Sequence, residues 1–141
     1  MTPADDRSFI SLQVGDTSSF ERRISEDDVR AFAVLSGDYN PLHMDDAYAR
    51  STPFGGRVVH GMLLAAMISR LVGMQLPGKR ALLMKESLEF KKPIRIGDMV
   101  KVEGAVVNVS IATHIVELEI HIYAESIIVV TGHVQVQVRD E

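Results

Sequence analysis

A carboxylate and an imidazole, Asp38 and His43, lie five residues apart in the run SGDYNPLH. Gly37 frees the backbone before Asp38, and Asn40-Pro41 favours a new helix, because Asn caps well and Pro suits the first helical turn. A turn between the two residues can direct both side chains at one water molecule, and such a pair can act as general acid and base. Spacing alone also fits the commoner case, in which the Asp only caps a loop and the His is exposed.

A second candidate site is the glycine-rich run FGGRVVHGM, which ends at Met62 where a helix is expected to begin. The free N–H groups of a helix N-terminus carry the positive end of the helix dipole. Because Gly61 has no side chain, a carbonyl oxygen can approach its N–H closely, as in an oxyanion hole. Close packing of the helix against a sheet explains this glycine equally well.

Two helices are expected to position these groups. Ser25 and Asp28 have the spacing of a capping box, so a helix should begin there and end at Gly37. The run GMLLAAMISRLV, residues 61–72, carries no charge before Arg70. A helix that is apolar nearly all round must be buried on most sides, and Gly73 should end it.

The last third of the chain changes to the two-residue alternation of β-strands. Long β-branched segments cover residues 99–109, 114–124 and 127–138, alternation begins near Leu82, and residues 17–23 could add a further strand. Short turns between such segments predict an antiparallel meander. The sequence therefore predicts an α+β fold in which an antiparallel sheet wraps around one long buried helix.

Composition sets further limits. The 141 residues suit one domain, residues 1–141, with 46% hydrophobic and 24% charged residues. There is no Cys, which excludes disulfides, Cys-ligated metal and a Cys nucleophile. The first ten residues do not resemble a signal peptide, and the uncharged apolar run 58–69 is too short to cross a bilayer. We expect a cytoplasmic protein without a membrane partner.

Charge is distributed unevenly along the chain. The net charge of −4 argues against a nucleic-acid partner, yet residues 70–101 hold eight Lys and Arg against three Asp and Glu. A basic segment in an acidic protein suits an anionic ligand such as a phosphate-bearing carrier. A solvated, Lys-rich sheet face is an equally good explanation.

Taken together, these motifs resemble the hydratase-2 signature of MaoC-like proteins, and in particular stand-alone (R)-specific enoyl-CoA hydratases of the PhaJ type. Mitochondrial-type 3-hydroxyacyl-thioester dehydratases are similar too. The resemblance runs from about Val14 to Val138. It rests on LSGDYNPLH at 35–43 followed after five residues by Ala49, on PFGGRVVHGM at 53–62, on LPGK at 76–79 and on the Gly97-Asp98 turn.

The resemblance implies a hot-dog fold and a homodimer that binds an acyl thioester of CoA near its interface. It implies that Asp38 and His43 hold the catalytic water, that Gly61 supplies a backbone oxyanion donor, and that Asn40 helps to fix the active-site loop. Ser69 matches a serine near the catalytic pair in PhaJ-type enzymes, although a Ser in an apolar helix often bonds back to a backbone carbonyl. Neither a metal nor a redox cofactor is implied, and the CoA or acyl carrier protein enters as part of the substrate.

Other polar residues have weaker assignments. Arg57, Lys79 and Arg80 could contact CoA phosphates, since Arg and Lys suit phosphate, or could be solvated loop charges. His114, His121 and His133 fall on predicted strands without a ligand spacing that favours metal. His60 is expected to pack and hydrogen-bond.

Three functions remain open at this level. The first is hydration of 2-enoyl thioesters or the reverse dehydration. The second is a hot-dog acyl thioesterase, which would use a carboxylate on or near the central helix, whereas residues 58–69 contain none. The third is a non-catalytic acyl-thioester-binding subunit, which should have lost Asp38 or His43. Fold alone does not separate the three, but the site residues favour the first.

Overall fold

Helix α1 (Glu26–Ser36) begins and ends where the sequence predicts. In a computed structural model of the protein, which describes residues 1–140, the Ser25 side chain accepts a hydrogen bond from the Asp28 N–H and the Asp28 carboxylate accepts one from the Ser25 N–H. Burial alone would raise the pKa of Asp28, but hydrogen bonds from Ser25 and Arg22 bring that pKa below its usual range. Gly37 ends the helix with φ of 78°, a left-handed conformation that favours glycine.

The remaining elements form one sheet and three further helices. The strands are β1 (Thr17–Arg23), β2 (Ala81–Phe90), β3 (Met99–Ser110), β4 (Ile115–Ala124) and β5 (Ile127–Val138), and the helices are α2 (Pro41–Met44), α3 (Asp46–Arg50) and α4 (Gly61–Met74), with a 3₁₀ turn at Phe9–Ser11. The strand order is β1-β3-β4-β5-β2, and every neighbouring pair is antiparallel. The predicted meander is therefore β3-β4-β5, with β1 and β2 at the two edges.

Alternation along the strands places one face of the sheet in the core. Strand β4 alternates between buried and half-buried residues along its whole length. Leu118 and Ile120 lie on the buried face, opposite residues of β3 that face the same way. At Gly104 of β3 a Cβ would come within 2.7 Å of Leu71 of α4, so the absence of a side chain there lets the helix approach the sheet.

Helix α4 has one buried face and one exposed face. Its buried residues are Leu63, Leu64, Ala65, Ile68, Leu71 and Val72. Met62, Ala66 and Ser69 are exposed, and the Arg70 guanidinium lies 4.0 Å from the centre of the Phe20 ring. The predicted burial on most sides is confirmed except on this face, which no element among residues 1–140 covers.

Two local predictions also need correction, and one helix was not predicted. Helix α4 continues through Gly73 to Met74, since a single glycine only weakens a helix that tertiary contacts hold. Helix α3 is an additional element, begun by the Asp45 side chain, which accepts a hydrogen bond from Tyr48 N–H. His114 lies in the turn before β4 with φ of 55°, so it is not a strand residue.

No helix of residues 1–140 combines the length and apolar character needed to span a bilayer.

Glu86 provides a pH-dependent test of this packing. It lies on β2 opposite Val134, and its Oε1 atom is buried without a hydrogen-bond partner among residues 1–140. Burial raises the pKa of Glu86, so stability should fall as pH rises from about 4.3, the ordinary Glu value, through the raised pKa. Glu86→Gln should therefore raise Tm at pH 8 by on the order of 1–3 °C, because the carboxylate keeps partial solvation.

The difference between variant and wild type should shrink at pH 4, and calorimetry at the two pH values measures it. Glu89→Gln is the matched control on the same strand, because a hydrogen bond from Lys91 lowers the pKa of Glu89. That variant should not gain stability at pH 8. Equal Tm values for Glu86→Gln and wild type at both pH values would contradict this account of the edge strand.

Candidate active site

The loop after α1 presents the Asp38 carboxylate. Asp38 N–H donates to Ser36 Oγ at 3.1 Å, and Asp38 Oδ1 accepts from Asn40 N–H at 3.1 Å. Asn40 Oδ1 in turn accepts from Leu42 N–H at 2.9 Å and caps α2. The exposed carboxylate is thus anchored through one oxygen, while the other has no protein partner within residues 1–140.

His43 is held through one ring nitrogen. Its Nδ1 lies 2.6 Å from the main-chain carbonyl oxygen of Val58. Because a carbonyl oxygen only accepts hydrogen bonds, Nδ1 carries the hydrogen and Nε2 keeps its lone pair. Val58 N–H also donates to Leu42 O, so the segment before α4 and helix α2 are joined on both sides of the imidazole. The free Nε2 can accept a proton.

His60 joins the two catalytic candidates. Only 1% of its surface is exposed, and its Nε2 lies 3.0 Å from the main-chain carbonyl oxygen of Asp38. Its ring packs against that of His43 with centroids 4.1 Å apart and against Phe32 at 4.9 Å. Its Nδ1 is buried without a hydrogen-bond partner in the described part of the chain.

Gly61 is the first residue of α4 and follows His60 directly. Its N–H has no hydrogen-bond partner within residues 1–140, as expected for the first turn of a helix. A Cβ on Gly61 would lie 3.1 Å from the Phe90 ring at the end of β2. The glycine therefore lets the Phe90 ring pack closely against the start of α4, beside an N–H without a partner within residues 1–140.

The three side chains converge on one small space. One ligating atom each of Asp38, His43 and His60 lies within 4.8 Å of the other two. This donor set could hold a divalent cation, and it could equally hold a water molecule between a carboxylate and an imidazole. With an unpaired helix N–H nearby, the arrangement can move protons next to a group that stabilises a developing oxyanion.

Comparison with known proteins identifies the family. The model of the MaoC-like domain matches residues 12–126. The chain belongs to the MaoC-like domain family. It is 48% identical over 93 residues to an (R)-specific enoyl-CoA hydratase from Aeromonas caviae, and this match covers 66% of the chain and 69% of the relative. It is 43% identical over 95 residues to a 3-hydroxybutyryl-CoA dehydratase from Methylorubrum extorquens, covering 67% of the chain and 60% of that relative.

Solved structures of related proteins confirm the fold of this MaoC-like domain. The (R)-hydratase from A. caviae superimposes with a TM-score of 0.89 at 41% identity, covering 92% of this chain and 98% of that one. An R-hydratase from Pseudomonas aeruginosa gives 0.92 at 32% identity, covering 98% and 89%. The predicted hot-dog fold and the predicted family are confirmed, and the names of the relatives support the predicted hydro-lyase class.

Within the MaoC-like domain, the predicted site residues fall into two groups. Asp38, His43, Asn40 and Gly61 gather at the junction of α1, α2 and the start of α4. Ser69 is exposed on α4 and lies about 12 Å along the helix from Gly61, from the rise of 1.5 Å per residue. Within one chain Ser69 is therefore not beside the catalytic pair.

The Arg57 guanidinium is largely buried and forms hydrogen bonds with other residues of this chain. Its Nε donates to His43 O at 2.6 Å and its Nη1 donates to the Glu26 carboxylate at 2.9 Å, with 8% of the side chain exposed. Arg57 thereby ties α1 to His43. A phosphate contact of Arg57 stays a prediction, since Nη2 has no hydrogen-bond partner within residues 1–140.

Lys79 and Arg80 lie at the far end of strand β2. Both pair with Asp6 and lower the pKa of that carboxyl, Arg80 contributing more. They precede β2, whereas Phe90 at its other end contacts Gly61, so roughly 30 Å of strand separates them from the site. The structure does not bring these two cations to the catalytic pair of the same chain.

Sequence reasoning missed how central His60 and the Val58 carbonyl are. His60 was expected only to pack and hydrogen-bond, and it does both. The available signal was its position immediately before Gly61 in the run VVHGM. Its contacts with Asp38 and His43 join residues 22 and 17 positions apart, which no local pattern indicates.

Arg57→Met tests the structural assignment of Arg57. Loss of the charge-assisted bonds to Glu26 should lower the free energy of unfolding by about 1–3 kcal/mol, as urea denaturation would measure. The Kd for free coenzyme A, measured by titration calorimetry, should change by less than about twofold. Arg50→Met, at an exposed position in α3, is the control and should change neither quantity. A tenfold weaker Kd for coenzyme A with unchanged stability would instead support a contact between Arg57 and a CoA phosphate.

Proposed function

We propose that this chain hydrates trans-2-enoyl thioesters to (R)-3-hydroxyacyl thioesters and catalyses the reverse dehydration with Asp38 and His43 as its acid–base pair. The observation that carries the proposal is the convergence of the Asp38 carboxylate and the His43 imidazole, whose Nε2 is free, next to the unpaired Gly61 N–H. Relatives named as an (R)-specific enoyl-CoA hydratase and a 3-hydroxybutyryl-CoA dehydratase support the same reaction.

In the proposed hydration, the thioester carbonyl oxygen accepts a hydrogen bond from Gly61 N–H. This polarises the conjugated alkene and makes C3 electrophilic. Asp38 and His43 bind one water, whose hydroxyl oxygen bonds to C3 while the pair takes up its proton. A proton from the pair is delivered to C2 on the same face, so the elements of one water are added and both groups return to their starting state.

No metal or redox step is needed, because the reaction adds or removes only water. Asn40 contributes by holding Asp38 and the start of α2 through two hydrogen bonds. The carrier can be CoA or an acyl carrier protein, since both present a thioester.

Replacing either acid–base group should abolish most of the activity. Asp38→Asn and His43→Gln should each lower kcat by on the order of 10²–10⁴, the usual scale for acid–base groups. Loss of absorbance at the enoyl-thioester band of crotonyl-CoA measures the rate, and chiral analysis of the product reads the (R) configuration. Asp27→Asn, exposed in the first turn of α1, and His133→Gln, exposed on β5, are the matched controls.

Other outcomes would favour the other candidate functions. Near wild-type rates in both variants would contradict the assignment of Asp38 and His43. Release of free thiol without hydration would indicate a thioesterase, although the first turn of α4 holds no acid. Binding of the thioester without any turnover would indicate a non-catalytic subunit. Full activity after dialysis against EDTA is the expected result for a reaction that needs no cation.

We further propose that the chain forms a homodimer through strand β2 and the open face of α4. Strand β2 is an edge of the sheet, and Leu82, Leu83 and Met84 on it are exposed. Met62 and Ala66 are exposed on α4. An uncovered apolar edge strand favours pairing with another chain. A second copy over this region would also close a site in which Asp38 is open to solvent.

Met84→Glu should shift the mass in solution from twice 15.6 kDa towards 15.6 kDa, because it places a charge in the proposed interface. Analytical ultracentrifugation measures the change. Val14→Glu, at an exposed position just before β1 on the opposite edge of the sheet, is the control and should leave the mass unchanged. A monomeric wild-type chain at micromolar concentration would contradict the dimer.

The cytoplasmic location stays a prediction, which fractionation of cells expressing the protein would test.

A further inference from the structure

His60 contacts each part of the candidate active site, although the proposed reaction gives it no chemical step. Its main chain leads directly into Gly61, the proposed oxyanion donor. Its Nε2 lies 3.0 Å from the Asp38 carbonyl oxygen, and its ring lies 4.1 Å from that of His43. Phe32 of α1 packs on the same ring at 4.9 Å.

We infer that His60 is a positioning residue, which acts through Asp38 and His43 and does not touch the substrate. This inference rests on the proposed function, since it concerns the geometry of the same pair. A side chain with 1% exposure has no free path to a ligand, whereas its bond to the Asp38 carbonyl holds the loop that carries the carboxylate. Its ring forms one wall against which the His43 imidazole rests.

The two ring nitrogens of His60 have different surroundings, and this gives a test. Because the Asp38 carbonyl oxygen only accepts, Nε2 carries the hydrogen, while Nδ1 has no hydrogen-bond partner within residues 1–140. The amide nitrogen of Gln is three bonds from Cβ, as Nε2 is in His. The amide nitrogen of Asn is two bonds from Cβ, as Nδ1 is. Gln at this position can therefore keep the donor to Asp38, whereas Asn cannot reach it.

The experiment compares His60→Gln, His60→Asn and His60→Phe in the full-length chain. His60→Asn and His60→Phe should lower crotonyl-CoA hydration in kcat by about 10- to 100-fold, because small misplacements of catalytic groups have large effects. KM should change by less than about threefold. His60→Gln should keep kcat within about fivefold of wild type. Asn40 N–H, which donates to Asp38 Oδ1, should exchange faster with deuterium in the Asn and Phe variants than in the Gln variant.

Equal kcat values for the Gln and Asn variants would overturn the inference, because a mere packing role does not depend on where the amide lies. Losses that appear only in KM would overturn it too. If His60→Asn does not fold, the kcat values of His60→Gln and His60→Phe are compared instead, because Phe keeps a ring but has no hydrogen-bond donor. A wild-type chain that hydrates none of a panel of C4 to C12 enoyl-CoA thioesters would refute the proposed function instead, and Asn40 exchange would still test whether His60 holds the Asp38 loop.

Discussion

The hydrogen bond from His43 Nδ1 to the Val58 carbonyl oxygen determines what this site can do. It holds the imidazole in one tautomer, with the lone pair of Nε2 turned away from the backbone. It also joins helix α2 to the segment that leads into α4, because Val58 N–H returns a bond to Leu42 O. Without it the imidazole on α2 would lose its side-chain bond to the segment that leads into His60 and Gly61.

The sheet gives that frame its rigidity. Val59 N–H donates to Ile94 O, which anchors the segment before α4 to the chain between β2 and β3. Helix α4 then packs closely on the sheet where Gly104 leaves space for Leu71. Since the helix cannot slide over a close-packed core, the Gly61 N–H keeps a constant relation to the Asp38 loop. Main-chain contacts thus fix the segment before α4, and the side chains proposed as acid and base are held in place by it.

The basic segment, residues 70–101, shows what a count of charged residues along the sequence can predict about a binding site. Its excess of Lys and Arg suggested a phosphate site, yet much of that charge is paired with carboxylates of the same chain. Lys79 and Arg80 contact Asp6, Lys91 contacts Glu89 and Lys101 contacts Glu103. Asp6 is distant in the sequence, so a count over a window of residues could not include it. A local charge excess therefore says little about a binding site until the partners from elsewhere in the fold are known.

Local patterns were sufficient for most of the elements. The Ser25 capping box, the glycine at 37 and the Asn40-Pro41 start depend on interactions between near neighbours, so their outcome can be predicted from the residues themselves. The two-residue alternation likewise predicted the strands, because one face of the sheet is buried. The pairing of Asp38 with His43 was accessible for the same reason, since both lie within one turn-forming run.

Tertiary structure decided the features that depend on distant residues. It placed the His60 side chain in contact with both Asp38 and His43. It paired the Arg57 guanidinium with the Glu26 carboxylate. It also left one face of α4 exposed, although the apolar sequence of this helix predicted burial on most sides. None of these follows from a pattern, because each is set by which surfaces meet when the helix packs on the sheet. The sequence by itself determined most of the elements, the family resemblance and the candidate acid–base pair, and only the folded chain decided which groups hold that pair in place, because those groups come from distant parts of the sequence.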